Sequence, residues 1–215
     1  MQRFNKISCQ FIIALYISLL SISVSAEDDA FIKLKLGYGI SIEVPKHWGE
    51  LGDATKMNLH ATSQAALANS GIKLMPGQKI TLLAMNATPD PAGAIIRVSV
   101  KMPPDFSQAE LLAFTEADLA EIGGVFFNTM SGVMTSLDGK LIKMFAPRKE
   151  IINGHKALLL SYIRNSNFGP SNWQVDQYKI PTEDGRFIEF TLSRRLSDEI
   201  MWRTIQERVK RSIRF

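Results

Sequence analysis

Residues 149–196 read KEIINGHKALLLSYIRNSNFGPSNWQVDQYKIPTEDGRFIEFTLSRRL, and this stretch decides the fold. It divides at turn signals into Lys149–Ile152, the turn Asn153–Gly154, His155–Arg164, a loop, Trp173–Ile180, the turn Thr182–Gly185, and Arg186–Arg195. In the last segment Ile188, Phe190 and Leu192 alternate with Glu189, Thr191 and Ser193. That alternation predicts a strand with one apolar and one wet face. Asn153–Gly154 and Asp184–Gly185 are dipeptides that tight hairpins prefer, because both turn residues can take positive φ. An antiparallel meander with an apolar face needs a cover, and the flanking sequence offers helices.

Downstream, Ser197 to Arg214 reads as a helix. Ser197 is its expected cap, and Asp198 and Glu199 sit in a first turn that favours negative charge. Its apolar positions are Ile200, Trp202, Ile205, Val209 and Ile213. Upstream, Leu141–Pro147 reads as a strand feeding the meander. Ser107 and Glu110 form a capping box. The helix that it opens continues to Leu137, and the pair Gly123-Gly124 predicts a kink or break within it, since glycine costs roughly 1 kcal/mol in a helix interior. Lys79–Ala87 and Ala94–Met102 read as strands joined by turn-forming residues. Asp53 to Ser70 has helical spacing, with Asp53 as cap and Gly71 as stop. Phe31–Leu36 and Ile40–Val44 form a hairpin ended by Pro45, and Trp48 is placed to seal one edge of the core. Strands grouped this way, without a βαβ rhythm, predict an α+β fold with a mainly antiparallel sheet and helices packed on it.

The first 26 residues read as an address. Arg3 and Lys6 precede the uncharged run Phe11–Val24, and Val24-Ser25-Ala26 puts small residues before Glu27-Asp28-Asp29. This is the layout of a secretory signal peptide cut after Ala26. The run is shorter than the roughly 20 residues that a membrane span needs. The single cysteine, Cys9, lies in the signal, so residues 27–215 form one cysteine-free domain. A protein that has left the cytoplasm without a disulfide suits a bacterial periplasm, with release outside the cell as the alternative. Signal removal leaves 23 basic against 21 acidic residues, a net charge of +2, which gives no argument for nucleic acid. No span is expected after cleavage.

The segment Gly39-Ile40-Ser41-Ile42-Glu43-Val44-Pro45-Lys46-His47-Trp48 resembles the early strand–proline–tryptophan segment of PsbP-like proteins. These belong to the superfamily shared by the photosystem subunit PsbP and the Ran-binding Mog protein. Asn153-Gly154-His155-Lys156-Ala157, leading into a tyrosine-bearing strand, a meander and a terminal helix, is similar as well. The resemblance covers Phe31 to Phe215. It implies an α/β/α sandwich around an antiparallel sheet, and a binding or assembly role without catalysis. The Asp53–Met75 excursion and the Gly123-Gly124 pair depart from the pattern, and no family binding residue transfers.

Chemistry is sparse. His47, His60 and His155 are far apart and form no metal-ligand spacing, and the mature chain has no cysteine, so no metal is expected. Gly37-Tyr38-Gly39 lacks the third glycine of a dinucleotide cradle, and no cofactor is expected. No Gly-x-Ser-x-Gly elbow is present. The competing reading is a small secreted hydrolase whose site is assembled from distant residues, with His47 or His155 in it. Two features suggest instead contact with another protein or an envelope component. The loop Asn165–Asn172 carries Phe168, with Trp173 just beyond it. The closing segment is basic, and Arg203, Lys210 and Arg214 are expected to point outward toward an acidic partner while Ile188, Phe190 and Leu192 meet Ile205 and Val209 inside. The oligomeric state is not legible.

Overall fold

The structure, a computed structural model, describes residues 30–58, 61, 65, 78–87, 93–166 and 169–215. The signal segment, Phe168 and most of the Asp53–Ser70 stretch lie outside these residues, though 53–58 are helical. The elements are β1 (Phe31–Lys35), β2 (Ser41–Pro45), β3 (Gly49–Glu50), β4 (Gln78–Asn86), β5 (Ala94–Met102), α1 (Gln108–Ala113), α2 (Glu116–Ser136), β6 (Lys140–Met144), β7 (Arg148–Ile152), β8 (His155–Ser166), β9 (Gly169–Pro181), β10 (Phe187–Arg195), a 3-10 turn (Leu196–Asp198) and α3 (Glu199–Ser212).

An eight-stranded antiparallel sheet runs β3-β4-β5-β10-β9-β8, with β6 and β7 both paired to the outer side of β8. The strand expected over Leu141–Pro147 stops at Met144, and residues 145–147 step across from β6 to β7. The turns follow their residues. Asn153 and Gly154 both take positive φ (48° and 84°), as a two-residue hairpin requires. At the second turn only Gly185 does, at 78°. There the loop is longer, and the Thr182 amide donates to the Arg186 carbonyl at 2.9 Å.

Register aligns one apolar row across the sheet. Leu83 lies opposite Val98, Val98 opposite Phe190, Phe190 opposite Tyr178, and Tyr178 opposite Leu159. Cross-strand neighbours on one face are the unit of sheet stabilisation, and all five are buried. The β1–β2 hairpin and α3 cover this face. Val209, Ile213 and Ile42 join its core, and the expected contact of Ile188, Phe190 and Leu192 with Val209 and Ile205 is present in that cluster. Trp48 meets Trp202 edge-on at 5.8 Å, so both tryptophans are core.

The face expected to be wet is covered too. Glu189 and Ser193 are buried, and Phe187 on the same face packs edge-on against Phe106 at 4.9 Å. Helices α1 and α2 lie over it, which makes an α/β/α sandwich. Glu189 tolerates burial because Lys79 and Lys179 both reach its carboxylate. Burial pushes that carboxyl up, but the two lysine charges win and hold it at about 2.

The helical region breaks where the sequence reading did not place it. Helix α2 runs without interruption through Gly123-Gly124. The break comes at Phe114–Thr115, where Thr115 and Asp118 form a second capping box behind that of Ser107 and Glu110. Two reciprocal caps satisfy the free amides of a new helix start. Gly123 serves packing instead: a Cβ there would stand 3.0 Å from Pro147 Cδ. At the C-terminal helix, Ser197 is not the cap. It lies within the 3-10 turn, and α3 starts after Asp198 with no side-chain cap.

Candidate functional site

Helix α3 organises the two polar openings on its side of the sheet. Trp202, Gln206 and Val209 recur at helical spacing and face the core. Ile200, expected in that stripe, is 88% exposed, because it falls on the opposite side of the helix. One flank, carrying Glu199, Arg203, Glu207 and Lys210, borders a cleft of about 500 Å³ over β7, β8 and β9. The other flank, carrying Arg208 and Arg211, borders a basic pocket of about 410 Å³ against the β1–β2 hairpin.

The cleft is internally compensated. Asp176 accepts from Ser161 Oγ at 2.5 Å, Arg194 at 2.7 Å and Gln174 at 3.0 Å. Arg194 also donates to Gln206 Oε1 at 3.2 Å. Burial pushes the Asp176 carboxyl up, but the Ser161, Arg194 and Gln174 donors outweigh it and hold the group below its ordinary value. Lys210, expected to point outward, instead lies in the cleft, 3.0 Å from Glu207 and 3.8 Å from Glu150, with its ammonium 5.6 Å from the Tyr178 ring centre. Arg203 is exposed and pairs with Glu199 one turn away.

The basic pocket differs in charge. Arg208, Arg211 and Arg214 line it, and among the described residues lining it Glu43 is the one carboxylate. Arg208 reaches Glu43 at 3.4 Å and lies over the Phe31 ring at 4.1 Å. Arg211 and Arg214 donate to backbone carbonyls of α3 and its end, and among the described residues neither forms an ion pair. The backbone beneath them is pinned. Ser41 and Arg214 exchange two amide–carbonyl hydrogen bonds at 2.9 and 2.8 Å, and Ser212 Oγ accepts from the Glu43 amide at 2.8 Å. The arginines are thus presented from a fixed seam.

The sequence-derived residues therefore divide. Arg203 and Lys210 share the cleft, Arg214 belongs to the basic pocket on the other flank, and Trp173 sits half-buried on β9 with Arg164 6.0 Å from its ring. Phe168 lies outside the described residues. Arg208 and Arg211 were missed as site residues. At 100° per residue Arg208 falls 100° to one side of Val209 and Arg211 a further 60° round, which sets both on one flank of α3 and carries the signal. None of the described openings is lined by histidine. His155 packs against Phe215 at 4.8 Å, and His60 lies outside the described residues. Among the described residues no cluster of three or more His, Cys, Asp or Glu side chains could hold a metal ion, and no helix is long and apolar enough to cross a membrane.

By sequence, the chain matches no protein-family model and no curated protein. Solved structures do match. Cyanobacterial PsbP (CyanoP) from Synechocystis sp. PCC 6803 is 12% identical over 90% of this chain and 95% of its own, with a TM-score of 0.52. LpqN of Mycobacterium tuberculosis, which is involved in cell envelope biogenesis, is 13% identical over 89% of this chain and 95% of its own, with a TM-score of 0.45. With its mainly antiparallel sheet between two helical layers, this chain has a PsbP-like fold.

Proposed function

We propose that this is a secreted, periplasmic, non-catalytic binding protein that docks an acidic protein or envelope component through the basic flank of α3. Extracellular release is the alternative destination. The observation that carries the reading is the convergence of Arg208, Arg211 and Arg214 on one pocket, where Glu43 is the one carboxylate among the described lining residues. Arginine presents a planar fork of donors suited to carboxylate or phosphate, and a rigid backbone lowers the ordering cost of using it. Arg203, exposed on the cleft flank of α3, and Phe168 and Trp173 are proposed as further contact residues. Contacts of this kind are salt-sensitive.

The test replaces Arg208, Arg211 and Arg214 together by glutamate. The variant should fold, and a pull-down from native envelope at low salt should lose the partner that the unaltered protein recovers. Retention of that partner with unchanged affinity refutes the docking surface. Export is tested separately: N-terminal sequencing of the periplasmic protein should begin at Glu27, and a start at Met1 in the membrane fraction overturns cleavage after Ala26.

A further inference from the structure

On the other face of the sheet, α1 and α2 cover the strands incompletely. Helix α1 buries Leu111, and α2 buries Leu119 near its start and Val133 and Met134 near its end. Between these anchors lies a groove of about 680 Å³. Leu158 and Leu160 of β8 are buried beneath it, and its apolar surface is formed by Phe106, Phe114, Ile122 and Phe126. That volume falls in the range of ordinary binding pockets, roughly 300–1,000 Å³. The apolar surface continues outward onto Val125, which is 63% exposed.

The rim is acidic. Asp105, Glu110, Asp118 and Glu121 line the groove. Asp105 is taken by Lys101, and Lys179, the cation in the lining, is taken by Glu189. Lys149 stands nearby, its ammonium donating to the Leu112 and Phe114 carbonyls at 2.9 and 2.7 Å, and its charge offsets part of that of Asp118. Glu110 and Asp118 accept hydrogen bonds from Ser107 and Thr115, which keep both carboxyls below their ordinary values and so ionised. Glu121 has no ion-pair partner among the described residues. The groove therefore joins an aromatic and aliphatic floor to a net negative edge.

We infer that this groove docks an amphipathic, positively charged peptide segment of a partner protein, with apolar side chains on Phe114, Ile122, Val125 and Phe126 and lysine or arginine at the Glu110–Asp118–Glu121 edge. Such a segment supplies both halves of the complement: an apolar face for the floor and cations for the rim. The surface is separate from the basic flank of α3, so the two inferences stand or fall apart.

The test uses the exported full-length protein and a labelled amphipathic peptide of leucine and lysine, read by fluorescence anisotropy at low salt. A second peptide keeps the leucines and replaces each lysine by glutamate. The first peptide should bind and the second should not. Glu121→Lys combined with Val125→Lys should raise Kd at least about fivefold, since both side chains are exposed and the change removes apolar surface and reverses charge. The arginine-to-glutamate triple variant of α3 should leave that Kd unchanged within about twofold. No binding of the lysine peptide at about 1 mM, equal binding of both peptides, or a smaller rise in the double variant overturns the inference. If circular dichroism shows the double variant unfolded, Glu121→Gln replaces it, with a rise of at least about twofold expected and anything less counting against the site.

Discussion

Alanine substitution of the two adjacent glycines in α2 should give opposite results. Both lie inside a continuous helix, where glycine is about 1 kcal/mol worse than alanine. At Gly124 a new Cβ meets nothing within 4 Å. Gly124→Ala should therefore gain nearly the whole amount, about 1 kcal/mol, which for a domain of this size raises Tm by about 2–4 °C. At Gly123 the new Cβ would stand 3.0 Å from Pro147 Cδ and 3.2 Å from its Cγ. Pro147 is buried and its ring is stiff, so the helix or the β6–β7 connection must shift by a few tenths of an ångström. Overpacking of this kind costs about 1–3 kcal/mol, enough to cancel or reverse the helical gain. Urea and thermal unfolding followed by far-ultraviolet circular dichroism would separate the two variants. Equal stabilisation would show that Gly123 is not held against Pro147. A loss at Gly124 would show that the helix is kinked at the pair after all.

Three further outcomes follow from the same packing. Gly93→Ala should lose about 1–3 kcal/mol, because its Cβ would stand 2.6 Å from Nε1 of Trp202, a large ring buried in the core; an unchanged urea midpoint would refute this. Arg194→Ala should cost about 3 kcal/mol by leaving the Asp176 carboxylate without its cation, and adding Asp176→Asn should recover part of the loss; a cost below about 1 kcal/mol, or no recovery, would refute the pair. Glu189 has a folded pKa of about 2 against an ordinary 4.5, so its contribution, on the order of 3 kcal/mol, is fully present above about pH 4.5 and is lost as pH falls toward 2. Denaturant midpoints for the unaltered protein should therefore fall more steeply below pH 4.5 than those of Glu189→Gln, and parallel curves would rule the linkage out.

The strands of the meander, their turns and the covered sheet were determined by the sequence alone, because a period of two and a glycine turn are local properties of the chain. Asn153–Gly154 forces its hairpin wherever the strands end up, and Ile188, Phe190 and Leu192 share a face in any strand. The second face was different. Glu189 looks solvent-exposed to any local reading, and only the arrival of Lys79 from β4 and Lys179 from β9 makes its burial tolerable. The Gly123-Gly124 pair looks like a break because propensity is local, whereas its actual constraint is Pro147, which reaches it only through the fold. The candidate site divides in the same way. The positive charge of the C-terminal helix is legible as composition, but its partition is not. Lys210 turns into the cleft toward Glu150 of β7, while Arg214 is held against Ser41 of β2, because charge pairing and backbone bridging across distant segments are decided only when those segments meet.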